Sequence, residues 1–332
     1  MRYVSLGKSG IKSSVIGLGC MGMSEFYGAT DDEQSLQTLS KSLALGITMF
    51  DTADMYGRGH NESLLGGFLR GRREQVVLTS KFGVRRDPDG PNGSTYDRDL
   101  DNKPAYMRAC CEASLKRLGT DVIDVYYVHR MDPNHPIEET VGALAGLVTE
   151  GKIRGYGLSE VSPDILRRAH NVHPVTALQS EYSLFSRDAE KEVLPVCREL
   201  DIAFIAYSPL GRGILTGAIT NTNMLDDHDL RRSSPRFADS NIEHNLFLLD
   251  SVRQIAEVHQ CTLGQVALAW LLAQGDDVIP IPGTKRVKYA EENARAADLE
   301  LTADELRLIN SVVATEQVAG AREWVPVERD SS

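Results

Sequence analysis

The 332-residue chain is short of positive charge, of ordered cysteine spacing and of long apolar runs. Its 36 Lys and Arg stand against 47 Asp and Glu, for a formal net charge of −11. Such a chain lacks the cationic surface that phosphate-backbone binding needs, so nucleic acid is not an expected partner, and anionic membranes suit it poorly. The five cysteines, at 20, 110, 111, 197 and 261, are odd in number and show no Cys-x-x-Cys spacing. Reduced thiols in an intracellular protein are expected, and no disulfide framework. No apolar run approaches the ~20 residues of a membrane span, and residues 1–10 lack the hydrophobic stretch of a secretory signal. A cytoplasmic location is therefore expected. The sequence has no His-Glu-x-x-His, and His129 and His135 have no ligand-like partners, so no metal is expected.

Short β-branched and apolar runs are what the chain does have, and they alternate with helical patterns, the rhythm of parallel βαβ units. Eight such runs fall at 15–20, 47–50, 76–80, 122–128, 153–158, 175–179, 202–206 and 278–281. Eight strand–helix repeats favour one closed (β/α)₈ TIM barrel over an open doubly wound sheet, and GLGCMG at 17–22 is not read as a dinucleotide-binding turn. Ahead of the repeats, a hairpin around Lys8–Gly10 is placed to plug the barrel bottom. The helices have start and stop signals: Thr30 with Glu33 as a capping box before Leu36, Leu39, Leu43 and Ala44; Pro104 and Gly119 around Met107, Cys111, Leu115 and Leu118; Pro136 and Gly151; Ser162–Pro163; Trp270 with Gly275. Thr302 with Glu305 opens an extra C-terminal helix. Two long connections, 82–103 and 211–241, have the length of lids or binding loops. Nothing marks a domain boundary, so residues 1–332 are read as a single domain with a loose tail after about 320 that contains Trp324.

Active sites of such barrels sit at the C-terminal ends of the strands. Those ends here offer Gly22 and Met23, Asp51, Lys81, His129, Ser159, Gln179, Tyr207, and Gly283 with Thr284 and Lys285. Each alone is ordinary: an Asp after a strand is usually a cap and a lone His usually packs. Asp, Lys and His converging on one mouth need a reason, because isolated charges are costly to desolvate.

The segments FDTADMYG, LTSKFG, DVYYVHRMD, YGLSE, YSPLGRGILTG and IPIPGTKRVKYAEEN resemble, in order, the motifs of the aldo-keto reductase family, over roughly residues 3–310. The GLSE variant and the long connections look like the bacterial, plant and fungal branch that includes perakine reductase-like enzymes. The resemblance implies NADPH-dependent reduction of a small-molecule aldehyde or ketone, with a catalytic tetrad at Asp51, Tyr56, Lys81 and His129. In this scheme Tyr56 is general acid in reduction and base in oxidation, and Lys81, an ammonium beside the phenol, lowers its pKa. Asp51 holds Lys81, while Tyr56 and His129 contact substrate.

The resemblance also assigns a cofactor set: Gly22, Met23 and Asp51; Ser159 and Gln179 at the carboxamide; Tyr207 stacked on the nicotinamide; Ser208, Leu210, Gly211 and Arg212 at the pyrophosphate; Glu292 and Asn293 at the adenine. Glu160 stands where many relatives have Asn and is given no cofactor contact. NADPH rather than NADH is expected because Gly283, Thr284, Lys285, Arg286 and Lys288 concentrate cations in an acidic protein, next to a helix start where they oppose the macrodipole. Met23, Tyr27, Met55, Arg130 and Met131 are candidates to line a largely apolar mouth. The alternative is a cofactor-sensing regulatory subunit resembling the β subunits of potassium channels.

Overall fold

The computed structural model describes residues 1–86, 99–313 and 317–322. Trp324 and most of the first long connection lie outside the described residues. Strands β1 (Tyr3–Ser5) and β2 (Lys12–Ser14) form an antiparallel hairpin. Eight parallel strands follow the eight apolar runs: β3 (Leu18–Gly19), β4 (Met49–Asp51), β5 (Val77–Phe82), β8 (Ile123–Val128), β9 (Ile153–Ser159), β10 (Ala177–Glu181), β11 (Ala203–Tyr207) and β12 (Val278–Pro280). The short pair β6 (Val84–Arg85) and β7 (Asp99–Leu100) borders the first long connection. Each barrel strand pairs with its sequence neighbour in the series. The ring closes where Gly17 N–H donates to the Pro280 carbonyl at 2.9 Å and Gly19 N–H to that of Pro282 at 3.3 Å.

The period-2 alternation of a strand divides the core in two. Met49, Val77, Val125, Tyr127, Ala177, Ala203, Ile205 and Ile279 fill the barrel interior, while Phe50, Leu78, Tyr126, Leu158, Leu178, Phe204 and Val278 face the helical layer. The hairpin serves as the floor, since Leu6 and Ile11 at its tip belong to the interior cluster and are 0% and 1% exposed.

Residues 17–22 have the Gly-x-Gly-x-x-Gly spacing, but they run into a short 3₁₀ turn, Met21–Met23, instead of opening an α-helix, and the first two glycines serve strand packing. A Cβ at Gly17 would lie 2.8 Å from Ile281 Cγ2 and 3.2 Å from Met49, too close for any side chain. Two details of the helix Asp32–Ala44 differ from expectation. Its cap is Asp31, whose carboxylate accepts from Gln34 N–H at 3.0 Å, rather than Thr30; a charged acceptor suits the positive helix end better than a hydroxyl. Its inward face holds Ser35, Thr38 and Ser42 beside Leu39, leaving Leu36 exposed; the three hydroxyls reach buried positions because each donates to the carbonyl four residues back. Pro104, Gly119, Ser162 and the Thr302–Glu305 capping box act as read, whereas the helix Leu263–Leu272 stops before Gly275 and is opened by a Thr262–Gln265 box that the reading missed. All five cysteines are free, and no described helix is long and apolar enough to cross a membrane.

Candidate active site

The alternation that sorts the core also aims the site. Counting in twos from the interior residues Met49, Val77, Val125, Ala177 and Ile205 gives Asp51, Thr79 and Lys81, Tyr127 and His129, Gln179 and Glu181, and Tyr207, all inward at the upper rim. The β4–β5 register sets Asp51 beside Thr79, one inward step below Lys81. Lys81 is 0% exposed and Asp51 3%. The Lys81 ammonium donates to Asp51 Oδ2 at 2.5 Å and to the Thr52 carbonyl at 2.8 Å, with the Tyr56 hydroxyl 3.4 Å away. Asp51 Oδ1 accepts from the Thr79 hydroxyl at 2.7 Å and from Gln179 Nε2 at 2.9 Å. A buried ion pair holds only when its remaining valences are met, and Thr79, which the sequence reading overlooked, supplies one of them.

Tyr56 enters from the turn after β4, and its ring stands edge-on to His129 with centroids 5.8 Å apart. The structure therefore brings Asp51, Tyr56, Lys81 and His129 to one point. One expectation reverses. Burial first, and then the Asp51 charge, hold the Tyr56 phenol well above its ordinary pKa. The Lys81 ammonium does not offset them because Asp51 neutralises it at contact distance, and burial draws the pKa of Lys81 itself downward.

Around this centre lies a charged ring that the sequence reading left mostly unseen. Arg130 Nη1 donates to the His129 carbonyl at 2.6 Å and to Ser159 Oγ at 3.0 Å. Glu160, in a left-handed conformation (φ 55°), accepts from Glu181 N–H at 2.8 Å, Ser180 Oγ at 3.0 Å and Arg322 at 2.8 Å. Burial would raise its carboxyl, but the Arg322 and Arg130 guanidinium groups outweigh that and bring it down to about 2. Glu160 thus clasps Arg322 of the C-terminal segment. Glu181 lies 3.5 Å from Arg212 and 3.9 Å from Arg236. Its signal was available, two residues beyond Gln179 on the inward face. Nothing in the sequence relates Arg322 to Glu160, 162 positions away.

The remaining candidates fall along the same rim. Gly22 and buried Met23 occupy the turn after β3. Ser208, Gly211 and Arg212 all have positive φ (49°, 56° and 57°) in the loop that follows Tyr207 and holds Leu210. Such values fold the backbone into a concave turn. Gly283, Thr284, Lys285 and Arg286 lead into the helix Val287–Arg295, where Arg286 N–H donates to Thr284 Oγ1 at 3.0 Å. Lys285 is partly committed elsewhere: it donates to the Tyr27 carbonyl at 2.7 Å and to that of Ala29, tying down the loop after β3. Glu292 accepts from Thr262 Oγ1 at 2.7 Å, and Asn293, 4% exposed, has a buried Nδ2 without a partner among the described residues. Beside the rim, Arg130, Met131, Glu160, Val161 and Arg322 border a cavity of about 780 Å³. No cluster of three metal-ligating side chains occurs among the described residues.

Comparison with known proteins gives the same frame. Residues 15–314 match the model of the Aldo/keto reductase family. The chain is 43% identical to a probable aldo-keto reductase 1 of Glycine max, over 96% of this chain and 91% of that protein. It is 44% identical to the aldo-keto reductase yakc [NADP(+)] of Schizosaccharomyces pombe, over 92% and 90%. Among solved structures, an aldo/keto reductase from Klebsiella pneumoniae in complex with NADP and acetate superposes with a TM-score of 0.72 at 28% identity, covering 94% of this chain and 96% of that one. With rim, tetrad and match extending over nearly the whole length, the chain belongs to the aldo/keto reductase family.

Proposed function

We propose that the protein reduces an aldehyde or ketone to the alcohol with NADPH, reversibly, using Tyr56 as proton donor. The observation that carries this is the meeting of the Tyr56 phenol, the Lys81–Asp51 pair and the His129 ring at one rim. Soybean and fission-yeast relatives at 43% and 44% identity support placing it in the branch that resembles perakine reductase.

The residues suit the cofactor. Gln179 gives Nε2 to the Asp51 carboxylate, so its other amide atom is an acceptor; Ser159 accepts from Arg130, so its hydroxyl proton is left to give. One donor and one acceptor complement a primary carboxamide such as that of nicotinamide. The buried, unpartnered Asn293 Nδ2 offers a donor to a purine nitrogen. Thr284 and Arg286 at the helix start, with Lys285 close by, suit a 2′-phosphate, in keeping with the NADP(+) in the fission-yeast relative's name. Ser208, Leu210, Gly211 and Arg212 would hold the pyrophosphate, and Tyr207, Gly22 and Met23 the nicotinamide side.

NADPH, when bound, supplies the hydride that the carbonyl carbon receives. A phenol is protonated at neutral pH, and burial raises the Tyr56 pKa further, so the group is in the state that a proton donor to the carbonyl oxygen needs. His129 orients that oxygen and stabilises its negative charge. Lys81 keeps a cation within 3.4 Å of the phenol oxygen as the proton leaves, and Asp51 holds the ammonium in place. Tyr56→Phe should bind NADPH normally and lose roughly 10²–10⁴ in kcat across an aldehyde and ketone panel. Unchanged turnover would remove Tyr56 as the acid, and equal rates with NADH would remove the cofactor preference.

A further inference from the structure

Ser159 is 1% exposed, at the inward end of β9. A hydroxyl has one proton to give and two lone pairs to receive with. Arg130 Nη1 occupies a lone pair at 3.0 Å, and a guanidinium has no acceptor to offer, so this contact runs one way only. The Ser159 proton has no acceptor among the described residues, and a buried donor left unused costs about 1–3 kcal/mol. Arg130 is itself held on both sides. Its Nη1 also donates to the His129 carbonyl at 2.6 Å, and its own carbonyl accepts from Asn102 Nδ2 at 3.1 Å. Asn102, 0% exposed, takes the Asp132 N–H at 2.6 Å as well, so the loop after β8 has a fixed course. Across the rim Asp51 does the converse for Gln179, fixing which amide atom is the acceptor.

We propose that Arg130 is a positioning residue that fixes Ser159 as a hydrogen-bond donor, and so sets the direction in which the site reads a carboxamide ligand. The inference rests on the NADPH reading. It gives Arg130 a task that a wall residue of the mouth would not have: its side chain couples the strand end that carries His129 to the one that carries Ser159. Without it, Ser159 is free to rotate and to accept, and the donor–acceptor pair loses its polarity.

The test is a double-mutant cycle on binding. The probes are NADPH, followed by its fluorescence, and 2′-phosphoadenosine 5′-diphosphoribose, which lacks the nicotinamide, followed by competition. Arg130→Met should weaken NADPH roughly three- to tenfold, the worth of one hydrogen bond, and leave the fragment within twofold of wild type. In a Ser159→Ala background the same change should have no further effect on the NADPH-to-fragment ratio. Arg130→Lys, which keeps a cationic donor, should retain most of the wild-type ratio and serves if the methionine variant does not fold. A ratio unaltered in Arg130→Met, a loss that persists without the Ser159 hydroxyl, or a lysine variant as weak as alanine at Ser159 would overturn the inference. Failure of the wild-type protein to bind NADPH at all would overturn the cofactor assignment first, a result distinct from these.

Discussion

Asp54 lies between Asp51 and Tyr56 of the proposed tetrad in the chain, yet the proposed chemistry does not use it. Its Oδ1 is out of reach of solvent and has no partner among the described residues. Burial raises its pKa, the buried Glu62 carboxylate adds to the rise, and Arg117 and Cys110 recover only part, leaving it near 7 against an ordinary 3.8. A carboxyl that binds its proton more tightly when folded favours the folded state only while protonated. Its contribution is intact below pH 4 and is lost progressively as pH rises from about 4 to about 7. At 1.36 kcal/mol per pH unit, 7 − 3.8 corresponds to at most about 4 kcal/mol lost by pH 8, and 5 − 3.8 to less than about 2 at pH 5. Asp54→Asn has no proton to lose. The stability difference between variant and wild type should therefore grow in the variant's favour by about 2–3 kcal/mol between pH 5 and pH 8, whatever fixed cost the amide brings. Urea denaturation at pH 5, 6, 7 and 8 measures it. A difference constant across that range would show that Asp54 is ionised in the fold at neutral pH, and the argument from burial would fail.

Two further outcomes follow from the rim. Lys81→Met strands the Asp51 carboxylate in a dry site and should cost about 3–5 kcal/mol in equilibrium unfolding. Adding Asp51→Leu should recover much of that without restoring activity, and a double variant no more stable than the single would contradict the pairing. Glu160 has a depressed pKa, so its contribution is full above pH 4.5 and fades as pH falls toward about 2. Glu160→Gln should thus lose up to about 3 kcal/mol at pH 7, with the difference from wild type closing in acid; a deficit that persists at pH 2.5 would refute the Arg322 clasp as its source.

The barrel was legible because its information is local and repeated. Eight apolar runs, each with inward and outward residues in strict alternation, leave few alternatives once the connecting helices are recognised. The rule that such barrels carry their site at the C-terminal strand ends gathered Asp51, Lys81, His129, Ser159 and Gln179 at one rim, and the order of the motifs completed the tetrad with Tyr56. The failures were of a different kind. Asp31 won the helix cap over Thr30 through a choice between adjacent acceptors that a pattern cannot make. Leu36 faces solvent because buried Ser and Thr hydroxyls can be satisfied within their own helix, so the apolar stripe is an imperfect guide to the inner face.

Taken by itself, the sequence determined the strand count, the closed ring, the acidic character and the set of polar groups at the mouth. These follow from side-chain period and composition, which need no knowledge of what touches what. Only the tertiary structure decided how those groups are charged and which way they donate. Burial, and then the Asp51 charge, hold the proton on Tyr56 although the Lys81 ammonium stands 3.4 Å away. Arg130 and Asp51 assign opposite roles to Ser159 and Gln179. Glu160 holds Arg322. Each outcome depends on distances of about 3 Å between residues far apart in the chain, and on how little water reaches them, and neither quantity is written in the order of the residues.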